Sequence, residues 1–228
     1  MKSILSILTV AITLSSAAQT RTVDVGSFDE LSLAIPANLY LTQGSSEKVE
    51  IKCDDDIFEE IEFDKKGDRL VIKREGNWNW GNGWRKSEVD IYVTMVTIEE
   101  LAVSGSGSME SKGTLKTEEL DLAVSGSGDI NLDIDGGEVE VRISGSGNVE
   151  LSGKGEEAAV RISGSGRVKA EDLEVAYFKA SISGSGSCYI TATEEMKANI
   201  SGSGSVYYAG NPKRIDSNSS GSGKVRKM

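Results

Sequence analysis

The chain has 228 residues, 38% of them hydrophobic and 27% charged, which is enough apolar material for one sizeable core or two small ones. A formal net charge of −11 speaks against nucleic-acid binding, and the absence of histidine removes the commonest general acid-base group and metal ligand. Two cysteines, Cys53 and Cys188, are too few for a disulfide framework, whereas 26 glycines against 2 prolines are the outlier to be placed.

Residues 1–18 read as a secretory signal. Lys2 precedes an apolar run from Ile4 to Leu14, and the small residues Ser16 and Ala18 suit cleavage before Gln19. That run falls short of the ~20 residues a membrane-spanning helix needs. No later run is long enough to span, and no cysteine near the cut offers a lipid attachment point. The expected mature chain is exported, to the periplasm, the outer cell surface or beyond, with no transmembrane segment after cleavage.

Residues 19–97 are strand-rich, with period-two alternation in "RTVDV", "LSLAI", "NLYLT", "KVEIK", "RLVIK" and "VDIYV". "TQGSSE" and "KKGD" read as hairpin connections, and "DDDIFEEIEF" as one helical turn with an early aspartate as N-cap. This region is expected to be a β-rich cap covering the first coil of the C-terminal part. Trp78, Trp80 and Trp84 fall together in "NWNWGNGW" between two strands. Exposed aromatics on such a loop can stack on sugar rings or anchor a partner protein, and their alternative role is to pack the loop back onto the cap.

Residues 98–228 carry a repeat. Ser-Gly-Ser-Gly begins at Ser104, Ser125, Ser144, Ser163, Ser183, Ser201 and Ser220, in steps of 21, 19, 19, 20, 18 and 19 residues. A period near twenty marks a solenoid whose coils stack on one another. The position before the motif holds Val103, Val124, Ile143, Ile162, Ile182, Ile200 and finally Ser219, and apolar residues recur two and four places earlier. Two places after the motif stand Met109, Ile130, Val149, Val168, Cys188, Val206 and Val225. Each coil is therefore expected to have two short strands, one on either side of the motif, and to bury about five side chains.

The motif is the corner between those strands. Gly105, Gly107, Gly126, Gly128, Gly145, Gly147, Gly164, Gly166, Gly184, Gly186, Gly202, Gly204, Gly221 and Gly223 are structural turn residues, because a tight bend between coils ~4.8 Å apart leaves little room for side chains. In the last repeat Ser217 and Ser219 replace apolar residues, and Lys224, Arg226 and Lys227 blunt what would be a sticky edge.

"DINLDIDGGE" has calcium-loop letters, but counting from Asn131 the twelfth residue is Arg142, where a bidentate glutamate is required. The period assigns Ile130 and Leu132 inward and the acids outward, with Gly136-Gly137 turning the chain. No catalytic, cofactor or metal site is expected. Tyr189 and Tyr207 share an outward column on successive coils and are expected to stack. Cys188 falls inward as a small buried hydrophobe, and its pairing with Cys53 is left open by the spacing.

"AVSGSGDI" at Ala123–Ile130 and "ISGSG" at Ile143–Gly147, repeated at this interval after a leader and a β-rich first part, resemble the head domain family of autotransporter adhesins, the GIN domain. The resemblance implies an all-β, single-stranded parallel β-helix of the pectin-lyase type with about seven coils, and a role in adhesion. The expected function is thus a non-enzymatic exported adhesin binding an unidentified glycan or protein through its β-helix faces and tryptophan loop. The alternatives are a polysaccharide-binding or polysaccharide-active pectin-lyase-like protein and an envelope scaffold. An enzyme of that kind would break its regular coils with a cluster of catalytic groups, and no such break occurs here.

Overall fold

The computed structural model describes residues 10–11, 20–75 and 88–228. Its first part holds strands β1 (Val10–Ala11), β2 (Thr20–Val23), β3 (Glu30–Leu33), β4 (Asn38–Gln43) and β5 (Lys48–Lys52), then helix α1 (Asp55–Phe58), then β6 (Ile61–Lys66), β7 (Arg69–Arg74) and β8 (Asp90–Met95). The repeats come next as β9 (Glu100–Gly105), β10 (Ser108–Gly126), β11 (Asp129–Gly145), β12 (Asn148–Gly164), β13 (Arg167–Gly184), β14 (Ser187–Gly202), β15 (Ser205–Ala209), β16 (Arg214–Gly221) and β17 (Lys224–Lys227). The fold is a parallel β-helix of about seven turns.

Each strand from β10 to β14 is one whole winding, and it pairs in parallel with the winding above and below. Three faces result, in chain order A, B and C. In β11 the buried residues Ile130 and Leu132 lie under face A, Ile134 under face B, and Val139, Val141 and Ile143 under face C. Face B corrects the expectation of two strands per coil. It escapes the period because its register slips, between Glu110 and Thr114, Glu150 and Ser152, Ala170 and Glu174, and Val175 and Tyr177. Leu115, Ile134, Gly153 and Leu173 nevertheless align there from coil to coil.

The interior is apolar throughout, and among the described residues no polar or charged residue is buried. The pre-corner residues Val103, Val124, Ile143, Ile162, Ile182 and Ile200 are all at most 3% exposed and form one unbroken ridge. Each fully buried aliphatic side chain contributes on the order of 1.5–3 kcal/mol, so the ridge is shared stabilisation that no single winding could supply.

The first part continues these faces. β3 pairs in parallel with β9 and β7, and β4 in parallel with β10 and β8, so β3 and β4 make a winding whose corner is "AIPA" in place of Ser-Gly-Ser-Gly. Antiparallel strands then close this end, with β6 on β7, β5 on β8, and β2 on β5. β4 and β5 are not a hairpin, contrary to the expectation for "TQGSSE". Both pair with β8, which lies between them, and the Gly44 N–H donates to the Met95 carbonyl at the end of β8 (2.9 Å). "KKGD" does join a hairpin, β6 to β7, with Gly67 at φ 64°. Asp54 takes the N-cap place of α1 without a side-chain capping bond, and Ile57 anchors the turn by burial.

The far end is open. Every residue of β16 is exposed, including Ser217 and Ser219 at the inward positions, and Ile215 is 44% exposed.

Candidate functional site

Face A is the side on which chemistry-bearing residues line up. On its outer surface two columns run along the helix axis. One passes through Asp90, Asn38, Ser108, Asp129, Asn148, Arg167, Ser187, Ser205 and Lys224. The other passes through Tyr92, Tyr40, Glu110, Asn131, Glu150, Lys169, Tyr189, Tyr207 and Arg226. The register of a parallel ladder holds neighbours ~4.8 Å apart, so the columns are fixed by backbone hydrogen bonds and not by the side chains themselves.

Tyr189 and Tyr207 stack as their shared column requires, with ring centroids 4.8 Å apart and planes 12° apart. Tyr40 and Tyr92 form a second stack in the same column, at 5.1 Å and 28°. The sequence reasoning missed this second pair because no Ser-Gly-Ser-Gly marks its register. The signal was present all the same: "NLYLT", "DIYVT" and "SCYIT" share one pattern of polar, aliphatic, tyrosine, aliphatic, threonine, with cysteine as the small apolar residue in the third. From Tyr40 to Tyr189 is five ladder steps, or ~24 Å.

The two pairs sit in opposite electrostatic settings. Tyr92 and Tyr40 are flanked along the column by Glu50 and Glu110, and the Lys112 ammonium lies 4.5 Å from the Tyr40 ring centroid. Burial first, and then the Asp90 carboxylate, raise the Tyr40 phenol above its ordinary pKa. Tyr189 and Tyr207 instead lie between Lys169 and Arg226 in their own column, and beside Arg167 and Lys224 in the next.

The polar residues between the pairs are engaged along the ladder. Asn38 Nδ2 donates to Asp90 Oδ1 (3.2 Å), Ser108 Oγ to Asn38 Oδ1 (3.1 Å) and Asn148 Nδ2 to Asp129 Oδ1 (2.7 Å). Asp133, in the segment with calcium-loop letters, accepts from Thr114 Oγ1 (2.8 Å). Among the described residues no group of three or more histidine, cysteine, aspartate and glutamate side chains converges as a metal centre.

A concavity lies where face B turns into face C. A groove of about 950 Å³ is lined by Glu99, Glu100, Glu118, Glu119, Asp135 and Glu138 among others. Gly136 and Gly137, between the lining residues Asp135 and Glu138, lie close against the preceding winding, since a Cβ on either would approach the Thr117 or Glu118 carbonyl to 2.8 or 2.5 Å.

Both cysteines are free, with Cys188 buried and Cys53 half-buried. The strand order puts β5 and β14 seven ladder steps apart, ~34 Å, far beyond the ~7 Å Cα separation a disulfide tolerates. Trp78, Trp80 and Trp84 lie outside the described residues, as do Ser16 and Ala18.

The family model for "putative auto-transporter adhesin, head GIN domain" matches residues 27–212. The chain belongs to this family. No functionally curated protein is similar to the chain by sequence. Among solved structures, a protein from Bacteroides fragilis described as a putative adhesin is similar at TM-score 0.85 and 25% identity, over 94% of this chain and 98% of that one. A protein from Parabacteroides distasonis described as a putative lipid binding protein is similar at TM-score 0.74 and 25% identity, over 92% and 96%. A putative adhesin from Parabacteroides merdae shares the fold at TM-score 0.66 and 20% identity, over 92% and 95%. Among the described residues no helix of this GIN-domain chain is long and apolar enough to cross a membrane.

Proposed function

We propose that this GIN-domain protein is exported and acts as a non-enzymatic adhesive contact protein, with face A as its contact surface. Membership of an adhesin head family supports the adhesive role. The leader-like residues 1–18, with Lys2 ahead of the apolar run, support export. One observation carries the choice of surface: two tyrosine stacks lie in a single register-locked column of a regular sheet face. Tyrosine offers apolar area together with a hydroxyl at little conformational cost, which is why it is favoured in contact surfaces. A rigid ladder holds those rings in place before any ligand arrives, so less ordering is lost on binding. Trp78, Trp80 and Trp84 add to the contact in this reading.

The test is binding of the mature protein to a glycan array, to matrix proteins and to intact cells. Replacing Tyr40, Tyr92, Tyr189 and Tyr207 together with serine is expected to cut retained protein at least tenfold on whichever target the native chain holds. A quadruple variant with native circular dichroism and undiminished binding would overturn face A as the contact surface.

A further inference from the structure

Resting on the reading of face A as the contact surface, we propose that its C-terminal end binds acidic polysaccharide, specifically a chain of uronic-acid units. The site is the Tyr189–Tyr207 stack with the four cations around it. Pairing registers put Arg167, Ser187, Ser205 and Lys224 in one row and Lys169, Tyr189, Tyr207 and Arg226 in the neighbouring row. Each row spans three ladder steps, ~14 Å, with a cation at both ends and hydroxyl groups between.

The charges there are available. Arg167, Lys224 and Arg226 form no ion pair with any described residue, and Lys169 reaches only Glu150, at 3.4 Å with both side chains exposed. An exposed pair of that length is worth little and is easily exchanged for a ligand carboxylate. Close by, Lys227 Nζ donates to the neutral Asn211 side chain (2.7 Å) and keeps its charge unneutralised. On a chain of net charge −11, such a concentration of uncompensated cations is a local inversion of sign.

The geometry favours a sugar polymer over other anions. The stacked rings stand with two phenol hydroxyls between the cations, matching a ligand that alternates carboxylates with hydroxyl groups. Glu150, Glu110 and Asp129 follow along the same two rows, so the attractive stretch is confined to the few sugar units that ~14 Å spans. The Tyr40–Tyr92 stack, flanked by Glu50 and Glu110, is the internal contrast: same rings, opposite sign.

The experiment is affinity electrophoresis of the mature protein through gels containing polygalacturonate, alginate or uncharged dextran, with sedimentation against phosphatidylglycerol vesicles alongside. Retardation by both polyuronates and not by dextran is expected, and it weakens as salt is raised. The combined variant Arg167→Gln, Lys169→Gln, Lys224→Gln and Arg226→Gln should lose at least tenfold in apparent affinity, and Tyr189→Ala with Tyr207→Ala a comparable factor. As a charge control, Lys179→Gln with Lys197→Gln on face C should change little. The proposal is overturned by equal retardation in dextran, by binding to vesicles alone, by undiminished binding of the four-cation variant, or by no retardation in either polyuronate. Loss of the polyuronate result while the tyrosine variants still abolish binding to another target would sink the ligand class and leave face A standing.

Discussion

The two glycines of a corner answer different physical demands. The first takes positive φ, as Gly105 does at 102°, where a Cβ would meet nothing within 4 Å but the backbone itself disfavours L side chains. The second, such as Gly128, has ordinary φ and is buried, because a Cβ there would stand 2.4 Å from Val103 Cγ1 of the previous winding. The aliphatic residue before each corner fills the space that the next winding's second glycine leaves. Gly105→Ala should therefore cost about 1–2 kcal/mol through backbone strain, and Gly128→Ala about 1–3 kcal/mol through overpacking. Urea unfolding of Gly128→Ala, Val103→Ala and the double variant should give less than the sum of the single losses; strict additivity would mean that the two groups do not compete for space.

The thiols give a second prediction at this scale. Burial, the leading cause, raises Cys53 from 9.0 to about 11, and burial raises Cys188 further still. Below pH 9 both states hold neutral thiols; as pH rises the unfolded chain ionises first, so stability falls across the window from 9.0 to about 11. The urea midpoint of the native chain should drop more steeply from about pH 8.5 to about pH 11 than that of Cys53→Ala/Cys188→Ala. Parallel profiles would remove the thiols from the account.

At the scale of elements, the last winding is a polar lid. β16 and β17 pair with β14 and β15 while offering serine at inward positions and lysine or arginine on the outer row. Deleting residues 211–228 should leave the β14 edge, with Met196 and Ile200, open to other molecules, and sedimentation should become concentration-dependent. Ser217→Val/Ser219→Ile should move the intact chain the same way, and two variants that sediment as the native chain does would refute the role. Strand by strand, faces A and C were legible because their alternation is anchored to a marked corner. Face B was not, since extra residues between Glu110 and Thr114 or Ala170 and Glu174 break the spacing that Leu115 and Leu173 would otherwise have shown. "TQGSSE" misled for a different reason: its turn chemistry is local, whereas the insertion of β8 between β4 and β5 is a long-range event. Tyr40 and Tyr92 stayed hidden for that same reason, their alignment with Tyr189 being set by pairings between segments far apart in the chain.

Across the whole molecule, charge of each sign is concentrated locally. Carboxylates gather in the groove between faces B and C, while the uncompensated cations collect at the C-terminal end of face A. A net charge of −11 keeps such a body soluble and turns away most polyanions, so that only a ligand presenting acid groups to one small region meets attraction.

The register slips, finally, all fall on face B or at its borders. Windings of unequal length thus meet like the leaves of a bound book, flush at the spine and ragged at the fore-edge. Insertions and deletions can accumulate on the ragged side without tilting a single tyrosine or cation on face A, which leaves that surface free to diversify by substitution alone.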